Sequence, residues 1–120
     1  MMMASVPEGW HTVTPRIVTP DVERLVAFLK HVFGATGDFR AEMPSEMTIG
    51  DSLLIVSSAE HRDPMPAFLY VYVDDVDRTY RLALEAGASS LEEPRDMPYG
   101  DRRGMVSDPW ANIWQIATRQ

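Results

Sequence analysis

The sequence contains no cysteine, and this absence excludes three kinds of site. A chain without thiols has no disulfide framework, no cysteine nucleophile and no thiolate metal site. The absence is also compatible with a reducing compartment, so we expect a cytoplasmic protein. No apolar run approaches the roughly 20 residues that a membrane-spanning helix needs, and we therefore expect no membrane association.

Basic residues are scarce as well. The chain has 11 Lys and Arg against 18 Asp and Glu, which gives a formal net charge of −7. Phosphate backbones are repelled by an acidic protein, and nothing larger than the pair Arg102 and Arg103 offsets this charge locally. We expect no nucleic-acid partner, and a neutral or cationic small molecule is better tolerated.

The usual signatures of catalysis and metal binding are also missing. The histidines His11, His31 and His61 lack the H-x-x-x-H or H-x-E spacing that places two ligands on one face. The sequence has no nucleophile elbow, phosphate-binding loop or dinucleotide fingerprint. Residues 1–9 have neither a basic start nor a long apolar run, which predicts a short tail rather than a secretory signal.

What the chain does contain is the composition of a soluble globular protein. Hydrophobic residues make up 45% and charged residues 24% of its 120 residues. This length fits a single domain, residues 1–120, and such a domain can bury a core without metals or disulfides.

Hydrophobic periodicity predicts a strand, a helix and three strands in the first half. Residues 10–18 are rich in β-branched and aromatic side chains, and Pro15 marks an edge or irregular strand. Apolar residues then recur at helical spacing from residue 22 until Gly34. Three short strands are predicted over residues 38–43, 46–49 and 52–57, with a tight turn at residues 50–51.

The second half repeats this order after a polar connection over residues 58–66. Residues 67–73 predict a strand with one aliphatic face and one aromatic face, formed by Phe68, Tyr70 and Tyr72. A helix is predicted over residues 76–86, and strands over residues 89–93, 103–107 and 113–118.

This duplication predicts an α+β fold built from two paired βαβββ modules, at about residues 10–58 and 66–118. Two such units pair naturally into one curved mixed sheet with the helices outside. The concave face of that sheet would then form a cleft.

Short motifs in matching order and spacing connect this pattern to a known family. They are His11-Thr-Val-Thr-Pro15, Phe33-Gly-Ala35, Ile49-Gly-Asp-Ser52, Val73-Asp-Asp-Val76, Ala86-Gly-Ala88, Tyr99-Gly-Asp-Arg102 and Asp108-Pro109. Over nearly its whole length the chain resembles the vicinal oxygen chelate (VOC) superfamily, and more narrowly its glyoxalase/bleomycin-resistance-like branch. The resemblance implies the glyoxalase/bleomycin resistance/dihydroxybiphenyl dioxygenase fold, a homodimer, and a cleft for a metal centre or an organic ligand. It does not fix the activity, because this fold hosts lyases, dioxygenases, epimerases, thiol transferases and drug-binding proteins.

The metal positions of the family fall on unsuitable residues here. In the metal-dependent relatives, His or Glu projects from four strands, and the aligned positions are Thr14, Ile55, Phe68 and Gln115. None is a good ligand for a divalent transition ion, since Thr and Gln offer only weak neutral oxygens. We therefore expect neither a metal nor another cofactor. A glycine of the family pattern is replaced by Ala111, which puts the local turn geometry in doubt.

The resemblance places a small set of residues in the cleft, and each has a second interpretation. The aromatic face of residues 67–73 is a ligand platform or ordinary sheet packing. Arg16 is a cleft cation or a salt-bridge partner, and Trp110 stacks on a ligand or packs at the turn or a dimer contact. Asp101, Arg102 and Arg103 form a solvated loop or a polar lip. The predicted ligand-binding residues are Thr14, Arg16, Ile55, Phe68, Tyr70, Trp110 and Gln115.

Three functional hypotheses follow. The first is a metal-free, dimeric protein that binds a planar or hydrophobic small molecule, such as an antibiotic or metabolite, for resistance or sequestration. The second is a lyase, isomerase or tailoring enzyme of the same superfamily that uses Glu42, Glu46, Tyr99 or Asp101 as acid or base. The third, a metal-dependent glyoxalase or dioxygenase, is disfavoured by the four substituted ligand positions.

Overall fold

The computed structural model of the protein describes residues 5–120, so part of the predicted N-terminal tail lies outside the described residues. The elements are β1 (Arg16–Thr19), α1 (Val22–Phe33), β2 (Ser45–Ile49), β3 (Ser52–Ser58), β4 (Phe68–Tyr72), α2 (Val76–Glu85), β5 (Ser89–Asp96), β6 (Asp101–Ser107) and β7 (Ile113–Arg119). The predicted α+β class is confirmed.

Two mixed sheets repeat one arrangement. Sheet A has the strand order β1-β3-β2, and sheet B has the order β4-β7-β6-β5. In each sheet the strand that precedes the helix is parallel to the last strand of its half, β1 to β3 and β4 to β7. A parallel pair needs a long crossover, which the helix supplies in each half. The sequence duplication is therefore visible in the topology.

Each helix begins after a capping aspartate, and α1 ends at Gly34 as the sequence predicts. Asp21 accepts a hydrogen bond from the Arg24 backbone N–H at 3.1 Å, and α1 ends at Gly34 in the left-handed conformation with φ 66°. Asp75 caps α2 in the same way through the Arg78 N–H at 3.2 Å. Both helices cover the same side of the sheets, and the Phe33 and Trp114 rings pack 5.1 Å apart in the core.

The strand predicted over residues 38–43 does not form. Thr36 makes an isolated bridge to Thr48, and the chain then turns away at Gly37, which has φ 119°. Any Cβ at Gly37 would overlap the Glu46 carbonyl oxygen. The Arg40 guanidinium donates to the Pro44 carbonyl at 2.8 Å, so the segment satisfies its polar groups locally instead of in a ladder. The prediction of a strand over residues 38–43 is therefore wrong.

The first predicted strand is also shorter than expected, because only Arg16–Thr19 pairs with β3. Proline has no N–H to donate, and Pro15 contributes only its carbonyl, which accepts from the Ile55 N–H at 2.9 Å.

The single curved sheet predicted from the sequence is instead two sheets. Met65, in the connection between the halves, occupies the edge of β1 through two backbone hydrogen bonds with Val18, at 2.9 and 3.2 Å. Because this connection lies along β1, strands β1 and β4 do not pair. The chain is a slab of 45 × 39 × 21 Å with a radius of gyration of 15.1 Å, where a compact chain of this length has about 13.6 Å. Each sheet keeps one open face.

Candidate ligand-binding site

The open face of sheet B carries an exposed row of aromatic side chains. Along β4, Phe68, Tyr70 and Tyr72 are 64%, 37% and 57% exposed, whereas Leu69 and Val71 pack against the core. Alternation places successive side chains of a strand on opposite faces of its sheet. On β7 the buried Trp114 and Ile116 accordingly lie on the helix side.

Gln115 lies beside this aromatic row. It is half-buried, has the parity opposite to Trp114, and pairs in register with Tyr70 on one side and Met105 on the other. An amide can both donate and accept hydrogen bonds. The structure therefore brings Phe68, Tyr70 and Gln115 onto one surface, as the parity of their strands predicts.

A buried carboxylate holds the two tyrosines. Asp101 is 1% exposed, and its Oδ2 accepts hydrogen bonds from the Tyr70 hydroxyl at 2.6 Å and the Tyr72 hydroxyl at 2.9 Å. Arg119 Nε lies 3.0 Å from Oδ1 as an ion pair, although the angle is too bent for a hydrogen bond. The Tyr99 hydroxyl is 3.4 Å from that of Tyr70. The Tyr70 and Tyr72 rings are 5.3 Å apart and tilted by 54°.

The contacts in this cluster shift the pKa values of Asp101 and Tyr70 in opposite directions. The hydrogen bond from Tyr70 is the largest of the effects that hold the pKa of Asp101 below its usual range. The hydrogen bond from Tyr72 and the charge of Arg119 act in the same direction, and burial opposes them. Burial, together with the hydrogen bond to Asp101, raises the pKa of Tyr70 well above its ordinary value. Asp101 is therefore charged and Tyr70 neutral at physiological pH.

This arrangement was not predicted from the sequence, although a usable signal was present. Asp101, Arg102 and Arg103 were expected to form one loop or lip, whereas they belong to β6. Arg102 faces α2 and donates to Asp77 at 3.0 Å, while Asp101 and Arg103 have the parity of the open face. Counting back in register from the turn after Ser107 would have placed Asp101 opposite Arg119.

The open face of sheet A holds a second group of predicted residues. Arg16 and Ile55 are register partners, and Arg16 Nη1 donates to Ser57 Oγ at 2.9 Å. Thr14 is half-buried just ahead of β1. A groove of about 920 Å³ lies here, walled by residues of the irregular segment 39–44 and of the connection 58–62. Within residues 5–120, Arg16 makes no ion pair with a carboxylate.

Trp110 lies apart from both groups. Its ring meets Phe28 of α1 edge to face at 6.0 Å, and it lines a shallow pocket of about 370 Å³ with the outer side of α1. The turn that carries it is fixed by Asp108, which accepts from the Trp110 and Asn112 backbone N–H groups at 2.9 and 3.0 Å. The structure thus gives the local packing that was the second interpretation of Trp110, and does not bring this side chain to an open face.

The family's metal positions do not make a metal site in this chain. Ile55 belongs to sheet A and Thr14 lies just ahead of its strand β1, whereas Phe68 and Gln115 belong to sheet B. Across the described part of the chain, no three His, Asp or Glu side chains meet in an arrangement able to hold a metal ion. The donor set does not fit a divalent transition metal, because two of the four side chains have no donor atom.

The other acid-base candidates are dispersed. Glu46 is paired with Arg40 at 3.1 Å on sheet A, and Glu42 is an exposed residue of the segment 39–44. Of the four candidates, only Asp101 and Tyr99 lie together, each next to the Tyr70 hydroxyl.

Residues 10–116 match the family model described as Glyoxalase/Bleomycin resistance protein/Dioxygenase superfamily. The chain belongs to this superfamily. Among curated proteins, it is 37% identical over 51 residues to an uncharacterised protein of Mycobacterium bovis, covering 42% of this chain and 34% of that protein. An uncharacterised protein of Mycobacterium tuberculosis is also 37% identical over 51 residues, covering 42% of this chain and 30% of its own length. The match spans about a third of these curated relatives.

Solved structures of the superfamily share the fold. TioX from Micromonospora sp. ML1 superposes with a TM-score of 0.76 at 20% identity, covering 92% of this chain and 99% of that one. A family enzyme from Burkholderia phytofirmans PsJN has a TM-score of 0.75 at 21% identity, covering 88% and 95%. The fosfomycin resistance protein FosX from Mesorhizobium loti has a TM-score of 0.69 at 20% identity, covering 92% of each chain. Over residues 5–120, neither helix is long and apolar enough to cross a membrane.

Proposed function

We propose that this VOC-superfamily protein binds a planar or hydrophobic small molecule, such as an antibiotic or metabolite, without a metal, and sequesters it in the cytoplasm. The observation that carries this proposal is the exposed row Phe68, Tyr70 and Tyr72 beside Gln115 on sheet B. Exposed aromatic side chains in contiguous rows are uncommon on soluble proteins and mark binding surfaces.

The row is suited to stacking because its polar atoms are already engaged. Asp101 accepts from both tyrosine hydroxyls, so the partly exposed rings are held in place for contact with a ligand. An aromatic contact is worth about 0.5–1.5 kcal/mol beyond the area that it buries. The Gln115 amide would orient the ligand by hydrogen bonds at its edge.

Acid-base catalysis receives less support from the same cluster. A general base works best with a pKa near the working pH, whereas the pKa of Asp101 is lowered and that of Tyr70 is raised. Both shifts move the pKa values further from pH 7. The enzyme hypothesis therefore remains the second one.

The proposed site is completed by a second copy of the chain. Sheet A has a groove lined by Arg16, with Ile55 as the register partner of Arg16, and sheet B carries the aromatic row. A homodimer in which sheet A of one protomer faces sheet B of its partner would enclose the ligand between them and bury the exposed rings. Trp110 has no place in this proposal, because it packs against Phe28 on the helix side of the sheets.

The test is a thermal-shift screen of purified protein against planar antibiotics and aromatic metabolites, followed by recovery of each hit. We expect stabilisation by at least one compound that is recovered unchanged. Tyr70→Ala should weaken binding of that compound about tenfold or more, while the matched Tyr70→Phe, which keeps the ring, should retain most of the affinity. Equal binding by Tyr70→Ala would refute the stacking role. Turnover of the hit, or stoichiometric Ni, Zn, Fe or Mn in the purified protein, would contradict metal-free sequestration.

A further inference from the structure

A cluster of charged side chains lies on the open face of sheet B, next to the aromatic row. Arg103 of β6 pairs in register with Ala117 of β7, which in turn pairs with Tyr72 of β4. Neighbouring strands are about 4.8 Å apart, so the backbones of Arg103 and Tyr72 lie about 10 Å apart, with Ala117 between them. A molecule stacked on the tyrosines can reach this arginine.

The charges in the cluster do not balance. Glu92 of β5 accepts from Arg103 Nη2 at 2.9 Å and also lies 3.6 Å from Arg95 Nη2, so one carboxylate is shared by two guanidinium groups. The charge of Asp101 is already balanced by Arg119, and its Oδ2 accepts from the two tyrosines. The Asp101–Arg119 pair is therefore balanced, whereas Arg95 and Arg103 share the single carboxylate of Glu92 and one positive charge is left over.

Arg103 also has unused hydrogen-bonding capacity. Its side chain is only 12% exposed, and its buried Nε–H has no hydrogen-bond partner among the described residues. An unpaired buried donor carries a desolvation penalty, and donors on a charged group carry a larger one. Replacing or supplementing Glu92 with an anion that reaches Nε would remove that penalty. Guanidinium groups bind carboxylates with two parallel hydrogen bonds.

We propose that the ligand of this site is an aromatic acid, whose ring stacks on Tyr70 and Tyr72 and whose carboxylate binds Arg103, with Arg95 beside it. This inference rests on the proposed function and adds the chemical class of the ligand. It differs from the expectation based on net charge, which favoured a neutral or cationic compound. The local charges select the ligand, because at physiological ionic strength salt screens acidic residues that lie more than about 8 Å away.

The test compares two probes of the same shape, 2-naphthoate and 2-naphthamide, by isothermal titration calorimetry. We expect the wild-type protein to bind the acid about tenfold more tightly than the amide. Increasing salt should weaken binding of the acid and leave binding of the amide unchanged. Arg103→Gln should abolish the preference for the acid. Arg78→Gln makes the same charge change on α2, on the other side of the sheet, and should keep it.

Glu92→Gln provides a second variant whose effect has the opposite sign. Removing the competing carboxylate should strengthen binding of the acid several-fold, with the amide unchanged, and this gain does not depend on the stability of Arg103→Gln. If the wild-type protein binds both probes equally, or if Arg103→Gln keeps the preference, the aromatic-acid inference is overturned while the stacking function stands. If neither probe binds at millimolar concentration, both the inference and the stacking function are overturned for aromatic ligands of this size.

Discussion

Asp101 determines how the tyrosine side chains are presented, although it is almost completely buried. Its carboxylate accepts from Tyr70 and Tyr72 and faces Arg119, and these interactions stabilise its charged form. They act on the folded protein only, since the unfolded chain does not bring the four residues together. The folded-state pKa is therefore lower than the unfolded-state value of about 3.9.

The first prediction concerns the pH dependence of stability. Because the folded-state pKa of Asp101 is lowered, its contribution is complete above about pH 4 and is lost as the pH falls through the folded-state value. We expect Asp101→Asn to lower the melting temperature at pH 7 and to flatten the loss of stability in acid. Thermal melts from pH 2 to pH 7 measure both. Asp96→Asn, at an exposed ion pair with Arg102, is the control and should change the melting temperature little. A melting temperature at pH 7 that equals that of the wild-type protein would count against this assignment.

Ala111 is strained. Its φ is 71°, and no other non-glycine residue within residues 5–120 has a positive φ. The left-handed conformation costs an L-residue about 1–2 kcal/mol, whereas glycine adopts it without a steric penalty but loses more entropy on folding.

The second prediction follows from that strain. Ala111→Gly should raise the free energy of unfolding by about 0.5–1 kcal/mol, as measured by urea denaturation. Ala41→Gly, in the irregular segment and without a positive φ, should lower it slightly. A loss of stability in Ala111→Gly would show that the alanine methyl group makes a compensating contact.

At the scale of elements, the turn between β6 and β7 is organised by one carboxylate. Asp108 accepts from the Asn112 Nδ2 at 2.9 Å and from the Trp114 Nε1 at 2.8 Å, in addition to the two backbone N–H groups of the turn. Asn112 Oδ1 in turn accepts from the Ala67 N–H at 2.8 Å, which joins the turn to the residue ahead of β4. This network aligns β4 with β7, and so places Tyr70 beside Gln115.

The third prediction is that Asp108→Ala destabilises the protein by about 3 kcal/mol or more, because it leaves several buried donors unpaired. It should also weaken ligand binding, although Asp108 lies outside the open face. Chemical denaturation and the calorimetry described above measure the two effects. The neighbouring Ser107→Ala, whose hydroxyl makes only a 3.5 Å contact with the Asp108 carbonyl, should cost less than about 1 kcal/mol. Comparable losses in the two variants would argue against the network.

At the scale of the whole molecule, the slab shape leaves the two parts of the proposed site on separate surfaces of the chain. The groove on sheet A and the aromatic row on sheet B belong to one chain, and the connection along β1 keeps the two sheets from pairing with each other. The proposed homodimer brings these surfaces together across two chains.

The fourth prediction tests that shared site. Light scattering should give twice the 13.5 kDa mass of one chain. Arg16→Glu and Tyr70→Ala should each weaken binding in their own homodimers, by about tenfold or more. When the two variants are unfolded together and refolded, mixed dimers should regain one intact site of two. A monomeric mass, or no recovery in the mixed sample, would contradict a site shared between chains.

The sequence by itself determined the helices, most of the strands and the superfamily. These features follow from local rules: capping residues and helical spacing mark residues 22–33, and strand alternation assigned Phe68, Tyr70 and Gln115 to one face. The prediction over residues 38–43 was wrong, since alternation cannot reveal that Gly37 packs against a carbonyl and ends the pairing.

Only the tertiary structure decided how distant residues meet. It showed that Asp101 holds two tyrosines about 30 positions earlier in the chain, and that Arg103 shares Glu92 with Arg95. It also placed Trp110 behind the sheet, against Phe28, and divided the predicted single sheet into two. Pairing register and backbone path set each of these contacts. Both depend on the packing of the whole chain, which no short window of sequence encodes.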